Sequence, residues 1–129
     1  MRKMGVTIAT LALTAVGLGV PATSAHAASG YDRCPKGDVC FFTGSGGSGS
    51  MCNWDGNDSD WRGGAITCSW SGTTKVKSVY NNGYSGGYDA VKYYRYANYN
   101  TYEGCAVNGL KYTYATPKTL RSHKWATSC

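Results

Sequence analysis

Apolar and polar positions alternate most densely in residues 90–104, where Val91, Tyr93 and Arg95 fall on one side of an extended chain and Lys92, Tyr94 and Tyr96 on the other. Five of these fifteen residues are Tyr and none is Pro, which suits a pleated, half-buried surface. The Asn-rich segment that follows is expected to fold back over this strand before Gly104. Residues 39–43 repeat the theme: Val39-Cys40-Phe41-Phe42 precedes a loop that ends at Gly49. Each copy leads to a strand-like run with a Ser beside basic residues, Lys77-Ser78-Val79-Tyr80 and Arg121-Ser122-His123-Lys124. The chain reads as two imperfect copies of one β unit.

Further strands are predicted at 65–70 and 75–80, joined by Ser71-Gly72-Thr73-Thr74, and Asn81-Asn82-Gly83 is a turn signal because Asn and Gly accept positive φ. A strand at 110–115 follows the turn Asn108-Gly109 and is expected to break at Thr116-Pro117, after which 120–125 closes the fold. No long stretch has helical periodicity. The predicted class is all-β, a small two-sheet sandwich.

Two motifs invite more than they deliver. Residues 44–49 fit G-x-G-x-x-G, but Met51-Cys52-Asn53-Trp54 is no helix start, so a flexible Gly/Ser hairpin loop is expected. Residues 55–60 resemble the opening of a calcium loop, yet Asp60 stands where Gly is needed and Ile66 where Glu is needed. A solvated turn is expected there, and no metal or cofactor is implied.

Composition sets the compartment. Met1-Arg2-Lys3, an apolar run to Val20 and the small-residue site Ala25-His26-Ala27 read as a secretory signal peptide over 1–27, leaving one domain at 28–129 that is secreted to the extracellular space. Without Arg2 and Lys3 the balance is eleven basic against seven acidic residues, mildly positive and scattered, so neither nucleic acid nor, after cleavage, a membrane is an expected partner. Cys34, Cys40, Cys52, Cys68, Cys105 and Cys129 all lie beyond the signal, an even count that implies three disulfides. Pairing of neighbours is expected: Cys34–Cys40, Cys52–Cys68 and Cys105–Cys129.

Catalytic chemistry is poorly supplied. Residues 28–129 hold one His, His123, flanked by cations, and one Glu, Glu103, and no nucleophile elbow is read in the chain. Paired carboxylates and zinc-type ligand sets are missing too. The chain is expected not to be an enzyme. Eleven Tyr and four Trp exceed what so small a core can bury, and with Asn, Ser and Gly in loops they suit a binding surface.

The segments Cys34-Pro35-Lys36-Gly37-Asp38-Val39-Cys40-Phe41-Phe42, Lys77-Ser78-Val79-Tyr80-Asn81-Asn82-Gly83, Val91-Lys92-Tyr93-Tyr94 with Asn98-Tyr99, and Arg121-Ser122-His123-Lys124-Trp125 resemble the small secreted actinobacterial peptidase inhibitors of the Streptomyces metalloproteinase inhibitor type. That family is similar to βγ-crystallins, so the resemblance implies two Greek-key motifs stapled by disulfides. It also implies inhibition of extracellular, thermolysin-like metallopeptidases by a monomer. The inhibitory loop would fall at Cys105, Ala106, Val107 and Asn108, braced by a disulfide and offering apolar side chains to the protease cleft. The type member's second closely spaced Cys pair and the crystallin calcium residues have no counterparts: Thr73-Thr74 and Pro117-Lys118 stand in the latter positions. A crystallin-like antimicrobial or toxin module binding cell envelopes, and a carbohydrate-binding module, are the alternatives.

Overall fold

The computed structural model describes residues 29–129; the signal peptide expected at 1–27 lies outside them. Seven strands carry the fold: β1 (Val39–Phe42), β2 (Met51–Trp54), β3 (Val76–Asn81), β4 (Ala90–Tyr96), β5 (Asn100–Ala106), β6 (Lys111–Lys118) and β7 (Ser122–Ala126). They form two antiparallel sheets, ordered β2-β1-β3-β6 and β5-β4-β7, with the core between them. The expected all-β two-sheet sandwich is the architecture observed.

The two copies seen in the sequence occupy matching places. β1 and β4 are each central in a sheet, each paired on one side with the following strand and on the other with the Ser-bearing strand. Phe42 lies opposite Ser78, and Tyr94 opposite Ser122. Ser78 Oγ donates to the Gly44 carbonyl at 2.6 Å and accepts from the Gly47 N–H at 2.9 Å. Ser122 Oγ donates to the Tyr96 carbonyl at 2.6 Å and accepts from the Tyr99 N–H at 3.1 Å. Each serine thus pins the loop after its central strand back onto the sheet. The halves also exchange chain: β6, from the second, completes the first sheet, and Asp58, from the first, bridges to His123 of β7.

The core is aromatic. Val91 and Tyr93 of β4 face Phe41, Val79, Trp54 and Trp61, with Trp54 and Trp61 stacked at 4.7 Å between centroids. Arg95 lies past the end of this face, exposed and paired with Glu103 at 3.0 Å. The outer face of β1 is covered by residues 31–38, so Cys40 and Phe42 are buried as well, against Cys34, Tyr31 and Tyr80. All three disulfides join neighbours: Cys34–Cys40, Cys52–Cys68 and Cys105–Cys129.

Four expectations are corrected. Residues 65–70 form turns instead of a strand: Ile66 is exposed, and Cys68 turns inward to its disulfide with Cys52 on β2. β2 and β5 were not expected as strands; hairpin pairing to β1 and β4 recruits them despite Asn, Glu and Gly in their sequences. Pro117 does not break β6, because β6 is an edge strand and the Pro lies in a register shift opposite Val76–Ser78. The 44–49 loop is held, with Arg33 Nη2 donating to the Gly47 carbonyl at 2.7 Å and the Gly46 N–H to Thr113 Oγ1 at 2.9 Å. The acidic 55–60 turn is solvated as expected, with Asp55, Asn57 and Ser59 exposed, and it is fixed by a two-point Arg121–Asp60 pair at 2.7 and 3.0 Å and by the Asp58 carboxylate accepting from the Trp54 indole.

Candidate functional site

Strand register gathers the connections at one end of the sandwich. Val39, Trp54 and Asn81 lie level across the first sheet, and Val91, Ala106 and Trp125 level across the second. Residues 34–38, 55–57, 82–89, 107–110 and 127–129 therefore share that end. Two disulfides, Cys34–Cys40 and Cys105–Cys129, close it.

Asn81 is its hub. The side chain is fully buried and its Nδ2 donates to the carbonyls of Asp89 and Ala106, both at 2.8 Å. Its Oδ1 accepts from the Gly83 N–H, while its backbone carbonyl accepts from Gly109 and its N–H donates to Leu110. One side chain thus fixes the 82–89 loop, the end of β5 and the 107–110 turn together. Asn82 adds a clamp to the Cys34 carbonyl at 2.9 Å. The expected positive-φ turn at Asn81-Asn82-Gly83 is not formed, since none of the three has positive φ. Asn81 ends β3 instead, and Gly83 is needed because a Cβ there would meet the Trp125 ring at 2.6 Å. The signal for this hub was in view, two Asn and a Gly, but its role depends on partners 8 and 25 residues away.

The four residues expected as an inhibitory loop separate in role. Cys105 sits in β5 and joins Cys129. Ala106 is fully buried and offers nothing to a partner. Val107 is 51% exposed. Asn108 turns its side chain back, donating to the Gly83 carbonyl at 2.9 Å. The Leu110 N–H donates to the Val107 carbonyl at 3.1 Å, and Gly109, with φ of 84°, takes the third position of that turn. Val107 is an apolar side chain held out on a backbone fixed before and after it.

Beside this turn lies an open cleft of about 610 Å³, lined by Gly37, Asp55, Gly56, Asn57, Tyr84, Tyr88 and Trp125. Tyr84 and Tyr88 are 68% and 72% exposed. Trp125 Nε1 donates to the Gly56 carbonyl at 3.1 Å, which fixes the indole.

Residues 83–87, Gly-Tyr-Ser-Gly-Gly, do fit G-x-S-x-G spacing, contrary to the sequence reading. Ser85 sits on an exposed loop between two strands, with no helix after it, so the strand–turn–helix context of an elbow is missing. His123 is no base for it. The ring is buried, accepts from the Trp61 indole at Nδ1 (2.9 Å) and faces the Gly56 carbonyl at Nε2 (2.8 Å), which places the proton on Nε2. Burial lowers its pKa to about 4. Among the described residues no cluster of His, Cys, Asp or Glu could hold a metal ion, and no helix is long and apolar enough to cross a membrane.

A rigid, disulfide-closed sandwich whose loops converge at one end is the architecture of a protein that binds with a preformed surface. The chain matches the model of peptidase inhibitor family I36, of the Streptomyces metalloproteinase inhibitor type, over residues 27–106, and it belongs to that family. It is accordingly an inhibitor with a peptidase as its partner, and not an enzyme. The match ends at Ala106, so Val107, β6 and β7 lie beyond it. Comparison with curated proteins gave no match.

Proposed function

We propose that this protein is a secreted, monomeric inhibitor of extracellular thermolysin-like metallopeptidases that enters the protease cleft with the Val107 turn. The observation that carries the reading is the fixed presentation of Val107. Its side chain is half exposed and apolar, while its flanks are held by the Cys105–Cys129 bridge, the Asn81 hub and the Asn108–Gly83 hydrogen bond. A loop ordered before contact loses little conformational entropy on binding, which favours tight association. The metallopeptidase target comes from the family resemblance, which implies clefts that accept an apolar residue. Export fits the three disulfides, which form in oxidising compartments. We also take the paired serine-pinned units, with their exchange of β6 and Asp58, as Greek keys of the crystallin kind. Titration of the purified protein against thermolysin and against a serine protease such as subtilisin tests the target class: stoichiometric loss of thermolysin activity alone is expected, and loss of subtilisin activity alone would reassign it.

A further inference from the structure

The cleft beside the Val107 turn is not used by the inhibitory reading, and its chemistry points to a ligand of its own. Three aromatic side chains line it, two of them left largely in solvent, and the third, Trp125, locked by its hydrogen bond to Gly56. Aromatic faces carry negative charge density and attract the slightly positive C–H faces of a flat ligand. The polar lining is as specific. The Asp55 carboxylate has no partner among the described residues, and an ionised carboxylate only accepts, so the ligand must donate. Asn57 Oδ1 is already engaged by the Trp125 backbone N–H at 2.7 Å, which leaves its Nδ2 as a donor towards the same space.

We propose that this cleft binds a neutral or amino-sugar oligosaccharide, stacked on Tyr84, Tyr88 and Trp125 and hydrogen-bonded through Asp55 and Asn57. Pyranose rings combine the two demands, an apolar face and a rim of hydroxyls that both donate and accept. A compact ammonium ion would satisfy the aromatics and Asp55 but fill little of a space of about 610 Å³, a volume typical of sites for larger organic ligands. An acidic saccharide would meet Asp55 with like charge. The residues 82–89 that carry both tyrosines are anchored at their ends by Asn81, through Gly83 and Asp89, so the platforms are held relative to the Trp125 floor.

The test uses the disulfide-intact protein, without peptidase, labelled with nitrogen-15. Cellotetraose, chitotetraose and tetragalacturonate are titrated in turn while the Trp125 indole and Gly56 amide resonances are followed. Saturable shifts with one or both of the first two, and weaker or no shifts with the acidic sugar, are expected. Tyr84→Ala and Tyr88→Ala should each weaken binding about tenfold, and Asp55→Ala similarly. These side chains are exposed or at the rim, and unchanged spectra elsewhere would confirm the fold. No saturable shift with either neutral or amino sugar overturns the proposal, as does binding that survives in the Tyr84→Ala/Tyr88→Ala double variant. Because no protease is present, this outcome is independent of whether Val107 inhibits.

Discussion

Trp61 donates its indole N–H to Nδ1 of His123 at 2.9 Å, deep in the aromatic core and between the two halves of the chain. The bond requires His123 to be neutral, and the other ring nitrogen is spent on the Gly56 carbonyl. The lone histidine of residues 28–129, poorly placed for catalysis by its cationic neighbours in sequence, is a structural post.

Stability should depend on pH through that ring. The folded pKa is depressed to about 4 from an ordinary 6.5 by burial, so between those values the unfolded chain binds a proton that the native state refuses. The contribution is complete above pH 6.5 and is lost as pH falls towards 4, by roughly 3 kcal/mol over the window. Urea unfolding at pH 7 and pH 4 should show this difference. In His123→Gln, less stable at neutral pH, the window should flatten. An equal fall in the variant would place the titration elsewhere.

The paired serines make a second prediction. Ser78→Ala leaves the Gly47 N–H and Gly44 carbonyl without their partner, and Ser122→Ala does the same to Tyr99 and Tyr96. Each should cost about 2 kcal/mol, read as a lower urea midpoint with unchanged slope. The Ser122 loop holds Asn98, Tyr99 and Thr101 at positive φ, unusual for such residues, so its amides should gain exchange rate more than those of the 44–49 loop.

The disulfides are testable by mass and by removal. Intact protein should weigh six hydrogens less than the reduced form, since none of the described cysteines is free. Replacing Cys105 and Cys129 by Ser opens a loop with a sequence separation of 24 and should cost about 3 kcal/mol of stability. Inhibition should weaken further than stability explains, because the chain ahead of Val107 is then free to move.

Val107→Asp should weaken inhibition about 100-fold by placing an unpaired charge in an apolar cleft, while Val107→Ile should retain it. An exposed position tolerates both without loss of fold. Unchanged inhibition constants for the Asp variant would move the contact surface to another loop of the same end.

Much of this was legible in the sequence for a physical reason. β1, β3 and β4 carry β-branched and aromatic side chains that bury strongly, so local pattern and final placement agree. Residues 65–70 carry similar side chains, but only Cys68 and Trp70 turn towards the core, Ala65, Ile66 and Thr67 are exposed, and a disulfide decides the course of the segment. β5 shows the reverse: Gly104 looks like a breaker, yet it is required because a Cβ there would meet the Tyr93 ring. At the site, the turn at Asn108-Gly109 was readable, whereas the burial of Ala106 was not, since it depends on Asn81 reaching across from the other sheet.

The exchange of β6 and Asp58 has a consequence for how such a protein can exist at all. A single copy of the unit would lack the chain that pairs with its Ser-bearing strand and half of the aromatic core, with no way to supply either from its own residues. Only a second copy supplies both, whether on the same chain or another. The two halves are thus obligate companions, and severing the chain between them would create two pieces that fold only upon finding each other.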